Sequence, residues 1–216
     1  MIVDDHDLVR EGLVQIIKTT SDIIVAGEAA NGQSAMMLLR KQAFDIVLLD
    51  LALPDQSGLH WLKVIKDELS TVPVLILTMY GERHYAVRCM RAGAAGYLTK
   101  RHASTELLTA IRRVANGQKY ITPRVGTELA TALEHRIHPA SISDLLSDRE
   151  LEVLMLLTDG HSISEIAEHL MLSVKTVSTY RSRLLQKLHM NNNAELIRYA
   201  LQEGIAGQVL SDLSHS

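Results

Sequence analysis

The feature that most narrows what this chain can fold into is an alternation. Up to about residue 118, short wholly apolar runs take turns with amphipathic segments. Residues 1–3, 23–25, 46–49, 74–77 and 97–98 read as five strands. Residues 8–18, 34–41, 59–69, 82–92 and 105–115 carry the helical repeat between and after them. Gly27, Asn31-Gly32, Gly58, Gly93 and Gly96 punctuate the pattern. A strand that is apolar throughout has no face for water. With a helix after each one, the predicted fold is α/β: a parallel sheet covered on both sides.

In such sheets ligands gather outside the carboxyl ends of the strands, where the winding reverses. For five strands in the flavodoxin-like order 2-1-3-4-5, that point lies between the first and the third. Asp4-Asp5 closes strand one, and the run Ile46-Val47-Leu48-Leu49 ends in Asp50. Burying an unpaired carboxylate is costly, so the run is expected inside and its end at the rim of a site. Three carboxylates brought together repel unless a cation joins them, and oxygen ligands with open positions suit Mg²⁺. Thr78 closes strand four with a hydroxyl, and Thr99-Lys100 closes strand five with an ammonium. This set suits phosphoryl transfer: Asp50 attacks, while the cation and Lys100 neutralise developing charge. Singly, each residue has a plainer reading: Asp4-Asp5 as a helix cap, Thr78 as strand propensity, Lys100 as a solvated charge. Four such positions at the ends of four strands favour the joint site.

Residues 122–146 change character, with Pro123, Pro139 and several Ser and His around one helical pattern at 125–133, and read as a linker. An all-helical segment of four helices follows. Ser147 with Glu150 and Ser162 with Glu165 form capping boxes, and Asp159-Gly160 ends the first helix. Ile163, Ile166, Ala167 and Leu170 share one face of a short helix, and Met171-Leu172-Ser173 turns into a longer one at 174–188. Short helix, tight turn and longer helix match the helix-turn-helix plan. On the longer helix Val174, Val177, Leu184, Leu185 and Leu188 fall on one side, with Arg181 towards that side too. Lys175, Ser178, Thr179, Ser182 and Gln186 fall opposite, flanked by Thr176 and Arg183, and Lys187 completes the expected DNA-contact set. No Asp or Glu occurs between Glu168 and Glu195. The local field is therefore positive although 22 Lys and Arg face 25 acids in the whole chain.

The lone Cys89 excludes an internal disulfide and suits a reducing compartment. No apolar run reaches the ~20 residues of a membrane helix, and the start lacks a basic, then apolar leader. A cytoplasmic protein is expected.

Val3-Asp4-Asp5-His6, Leu49-Asp50-Leu51-Ala52-Leu53-Pro54 with Gly58, Leu77-Thr78 and Gly96-Tyr97-Leu98-Thr99-Lys100 resemble the receiver domain of two-component response regulators. Leu172-Ser173-Val174-Lys175-Thr176-Val177 and Leu184 to Leu188 resemble the LuxR-type DNA-binding domain, and the two in this order resemble the NarL/FixJ class. The resemblance implies a receiver at 1–120, a linker with a short helix at 121–145, a separate all-α four-helix domain at 146–207 and a tail at 208–216. It implies that a sensor histidine kinase phosphorylates Asp50 and that Asp4, Asp5, Asp50 and the Ala52 carbonyl hold Mg²⁺. It makes Thr78 and Lys100 the phosphoryl-oxygen contacts and Tyr97 the aromatic switch, with sheet-edge packing as the plainer role for Tyr97. The protein is then no enzyme on a separate substrate, though it assists its own phosphorylation and dephosphorylation. Its implied partners are double-stranded promoter DNA, RNA polymerase and, once phosphorylated, a second copy of itself, with residues 194–202 as the candidate dimer surface.

Three departures stand out. Arg101 follows Lys100 where many receivers carry Pro, and Met79-Tyr80 are bulky where a small residue is common, which predicts altered dephosphorylation. Strand one has few residues ahead of Asp4, which suggests a clipped start. Two other readings stay open at this point. A haloacid-dehalogenase-like phosphatase shares the residue types, but with its nucleophile on the first strand in an Asp-x-Asp pattern. A receiver-controlled RNA-binding antiterminator needs a different helical tail.

Overall fold

The computed structural model describes residues 1–79, 82–134, 145–202 and 205; Tyr80, Pro139 and the tail 208–216 lie outside them. The chain divides into two compact units, residues 1–134 and 135–216.

In the first unit β1 (Ile2–Val3), β2 (Glu28–Ala29), β3 (Val47–Leu49), β4 (Val74–Thr78) and β5 (Gly96–Thr99) form one sheet in the order β2-β1-β3-β4-β5. Every pairing is parallel. Helices α1 (Asp7–Lys18), α2 (Gly32–Lys41), α3 (Gly58–Glu68), α4 (Glu82–Arg91) and α5 (Ala103–Ala115) connect or follow the strands. Alternate strand residues point to opposite faces. Ile2, Leu48, Leu75, Leu77 and Leu98 pack with Leu13 and Ile17 of α1 and Leu107, Ile111 and Val114 of α5. Val47, Leu49 and Ile76, on the other side, are equally buried. Each such side chain contributes about 1.5–3 kcal/mol on leaving water.

The second strand sits later than periodicity predicts. β1 offers two residues, and their register aligns them with Glu28 and Ala29 rather than with Ile23–Val25. The N–H of Ile2 donates to the Gly27 carbonyl and that of Asp4 to the Ala29 carbonyl, both at 3.0 Å. Ile23 and Val25 still pack on the core while Ile24 between them is 81% exposed. This is extended chain with strand-like alternation but no ladder, which hydropathy alone cannot tell from a paired strand.

α6 (Pro123–Glu134) carries the helical pattern expected within the linker; it packs against α4 inside the first unit. Pro123 stands at its first position, where a missing N–H costs nothing.

In the second unit α7 (Asp148–Thr158), α8 (Ile163–His169), α9 (Val174–Lys187) and α10 (Asn193–Gln202) surround Leu151, Leu154, Ile166, Val177, Leu184 and Leu196. Both expected capping boxes form: Ser147 and Ser162 each accept from the N–H of the Glu three residues on, whose carboxylate takes the cap N–H at 2.7 Å. α7 and α8 end alike. The N–H groups of His161 and Leu172 reach back to the Leu156 and Ala167 carbonyls at 3.1 and 2.8 Å, which puts the preceding residue in the left-handed region. At the end of α7 that residue is Gly160, but at the end of α8 it is Met171, at φ 50° and 64% exposed. A side chain there is strained and buries little. Met171→Gly is therefore expected to stabilise the protein by about 0.5–1 kcal/mol, read as a higher midpoint in urea unfolding.

Candidate functional site

Three strand ends of the first unit converge. Asp4 follows β1, Asp50 follows β3 and Lys100 follows β5; β1 and β3 are neighbours in the sheet, so their acids meet. Lys100 Nζ lies 2.6 Å from Asp4 Oδ2 and 2.6 Å from Asp50 Oδ2. Asp50 Oδ1 accepts from the N–H of Leu51 at 2.7 Å and of Ala52 at 3.3 Å, so three donors fix the carboxylate. The apolar run before Asp50 is buried, and Asp50 itself is only 3% exposed. The carboxylate is buried with compensation rather than simply opened to water.

Burial pushes the Asp50 carboxyl up to about 6 against the pull of Lys100, and the Asp4 charge adds to the rise. Burial works to strip Lys100 of its proton, but Asp50 and Asp4 outweigh it and hold the ammonium above its ordinary value. Two carboxylates thus face one ammonium, an imbalance that a divalent cation corrects.

Asp4, Asp5, His6 and Asp50 each bring one ligand atom within 4.8 Å of the others, so this cluster is able to hold a divalent metal. Asp5 Oδ1 is buried and accepts no hydrogen bond, with His6 Nδ1 2.7 Å away. A buried acceptor left open beside two further acids fits a hard cation. His6 escaped the sequence reading as a possible ligand, and its position directly after Asp4-Asp5 was the available signal.

Thr78 closes β4 fully buried and pairs in register with Thr99. Tyr97 lies on the edge strand β5 with its side chain fully buried. After Lys100 the chain makes a tight 3-10 turn through His102, whose Nδ1 is 2.8 Å from Thr99 Oγ1. That turn occupies the place where a proline is absent. Met79, the residue after Thr78, is 47% exposed.

The β3–α3 loop is held at both ends. The N–H of Gly58 donates to the Leu51 carbonyl at 2.7 Å, and a Cβ on Gly58 would stand 2.0 Å from the Asp50 carbonyl oxygen. Only glycine permits that approach.

In the second unit Lys175, Thr179, Ser182, Arg183 and Gln186 are exposed along α9, with Thr176 and Ser178 half-buried beside them. Ser173 caps the helix by accepting from the Thr176 N–H at 3.0 Å. The hydroxyls of Thr179 and Ser182 donate to the carbonyls of Lys175 and Ser178, both at 2.9 Å, which leaves each oxygen to act as an acceptor. Three residues depart from the helical wheel. Val174, expected on the core side, is 50% exposed in the first turn of α9. Arg181, also turned to that side, donates to Asn193 Oδ1 at 2.5 Å. Lys187, expected among the DNA contacts, donates to buried Glu150 at 2.7 Å and to the Leu145 carbonyl at 3.3 Å. It ties the end of α9 to the start of α7.

Two family profiles match the chain: "Response regulator receiver domain" over residues 1–112 and "Bacterial regulatory proteins, luxR family" over residues 144–200. The response regulator UvrY of Escherichia coli strain K12 is 37% identical over 205 residues, covering 95% of this chain and 94% of UvrY. The response regulator GacA of Pseudomonas aeruginosa is 35% identical over 205 residues, covering 95% and 96%. Among solved structures, RcsB from Salmonella enterica serovar Typhimurium, bound to a promoter in the presence of phosphomimetic BeF3⁻, is 25% identical with a TM-score of 0.58, covering 94% of this chain and 97% of that one.

Proposed function

Because this chain belongs to the NarL/FixJ class of two-component response regulators, a receiver domain followed by a LuxR-type helix-turn-helix domain, we propose that its phosphorylation-controlled DNA binding runs from Asp50 in the receiver to α9 in the DNA-binding domain. The observation that carries this reading is the meeting of Asp4, Asp50 and Lys100 within hydrogen-bond distance although 96 residues part the first from the last.

Asp50 is the nucleophile. Its carboxylate attacks the phosphorus of a phosphohistidine on a sensor histidine kinase, an Asp50 oxygen–phosphorus bond forms, and the phosphorus–nitrogen bond breaks with the electron pair leaving on the kinase imidazole. The amides of Leu51 and Ala52 orient the attacking group. Lys100 and the Thr78 hydroxyl take the phosphoryl oxygens, and Tyr97 follows Thr78 as the reporter of the modified state. Asp4, Asp5, Asp50 and the Ala52 carbonyl hold Mg²⁺, which when bound supplies the positive charge that lets phosphate approach three acids. Receiver, linker and DNA-binding domain are assigned to 1–120, 121–145 and 146–207.

On DNA, α9 enters the major groove. Ser178, Thr179, Ser182 and Gln186 face base edges, while Lys175, Thr176 and Arg183 hold phosphates. Lys187 is left out of this set, since its ammonium already serves Glu150. Phosphorylation favours a homodimer, with α10 as its surface, on paired half-sites, where RNA polymerase is the further partner. Linking two modules raises affinity without new contacts.

The test uses a pool of random duplexes from which the acetyl phosphate-treated protein selects its own site in Mg²⁺. Treatment is expected to tighten binding of the selected duplex. Lys175→Ala is expected to weaken selected and random duplexes alike and to lower the salt slope by about one. Loss of sequence preference in Lys175→Ala would move that residue to base reading, and acetyl phosphate-independent binding would sink the switch.

A further inference from the structure

A carboxylate outside the acidic cluster does work that nothing above requires. Asp55 lies in the β3–α3 loop, three residues after Ala52. Its Oδ2 accepts from the N–H of Gln33 at 2.9 Å; its Oδ1 accepts from the N–H of Gln56 at 2.9 Å, the indole Nε1 of Trp61 at 3.1 Å and, more weakly, the N–H of Gly32 at 3.3 Å. Gly32 and Gln33 open α2, where N–H groups have no partner within the helix and favour negative charge. Asn31 caps only the Ser34 N–H there, at 2.8 Å. The indole of Trp61, in the first turn of α3, lies so close over Gly32 that a Cβ there would meet the ring at 2.1 Å. One carboxylate thus binds three separate pieces of chain: its own loop, the start of α2 and the start of α3.

The loop so clasped carries the Ala52 carbonyl. The end next to Asp50 is fixed by the Asp50 hydrogen bonds and the far end by Gly58, and Asp55 adds a restraint between them, near the buried Leu53. The geometry points to Asp55, with Trp61 as its partner, as a positioning residue that holds the Ala52 carbonyl in place for the divalent cation and so sets Mg²⁺ affinity. Asp55 touches neither cation nor phosphoryl group. Its effect is entropic: a loop already ordered loses less freedom when the carbonyl is engaged. This inference rests on the metal-binding role proposed for Ala52 and the acids.

The test is calorimetric titration of the full chain with Mg²⁺, alongside the rate of phosphorylation by acetyl phosphate at varied Mg²⁺. Asp55→Ala is expected to weaken Mg²⁺ binding about tenfold, a loss of about 1.4 kcal/mol. The maximal rate at saturating Mg²⁺ should change less than twofold. Asp55→Asn, which keeps an oxygen acceptor, should recover most of the affinity. Trp61→Phe, which removes one of the donors, should fall between. Asp55→Ala binding Mg²⁺ as wild type does, even with lowered thermal stability, would make the clasp merely structural and overturn the inference. If Asp55→Ala does not fold, Asp55→Asn and Trp61→Phe decide: wild-type affinity in both overturns it equally. Asp5→Asn is the control for the underlying reading, because Mg²⁺ binding that survives it means the metal site itself is misplaced.

Discussion

Asp50→Asn abolishes phosphoryl uptake: after acetyl phosphate and Mg²⁺ the wild-type protein gains one phosphoryl group by intact-mass measurement, and the variant gains none. The substitution is close to isosteric, so the contrast tests chemistry rather than folding. The Asn oxygen still accepts from the Leu51 and Ala52 amides, and Lys100 keeps its bond to Asp4. What disappears is the anionic nucleophile. An amide oxygen in its place lowers the rate by on the order of a thousandfold or more, as removal of a nucleophile does elsewhere. The same change also removes one of three crowded carboxylates, so the metal-free variant should unfold no more easily than wild type. A phosphorylated Asp50→Asn protein would mean that another acid is the acceptor, and the assignment of the pocket would fail with it.

Gly58→Ala is the second large effect. The obstacle is not backbone conformation but space: the added methyl would stand 2.0 Å from the Asp50 carbonyl oxygen and 2.6 Å from the Leu51 Cα. Both are main-chain atoms at the end of a buried strand and cannot swing aside as a side chain would. The loop must lift away from β3, giving up the Gly58 to Leu51 hydrogen bond and shifting Asp50 against Lys100. A cost of about 3 kcal/mol or more is expected, with a lower unfolding midpoint and slow phosphorylation in whatever fraction folds. Wild-type stability in this variant would show that the loop has slack that the close approach does not suggest.

The parts legible in the sequence share one property: each is written in local periodicity or at a strand's end. Asp4 and Asp50 directly follow apolar runs and Lys100 follows one with Thr99 between, and parallel winding then brings their ends together without further information. Capping boxes at Ser147 and Ser162 are equally local, four residues long, and form as read. What escaped depends on register or on partners distant in the chain. Whether Ile23–Val25 or Glu28–Ala29 pairs with β1 is decided by hydrogen-bond register, which hydropathy does not encode. Lys187 looked like one more cation on a polar stripe; its Glu150 partner lies 37 residues earlier. Asp55 carries no local signal of its role, since its donors Gly32 and Gln33 sit on another helix altogether. Val174 fits the apolar stripe by number but stands in the first turn of its helix and is half exposed.

Trp61 is the sole tryptophan of the chain, and its ring is seated on Gly32 with its nitrogen bonded to Asp55. Emission excited at the red edge of the absorption band, where the six tyrosines absorb little, therefore originates at one place, eleven residues after Asp50. A built-in optical gauge of the receiver's occupancy comes with the fold, free of any attached dye.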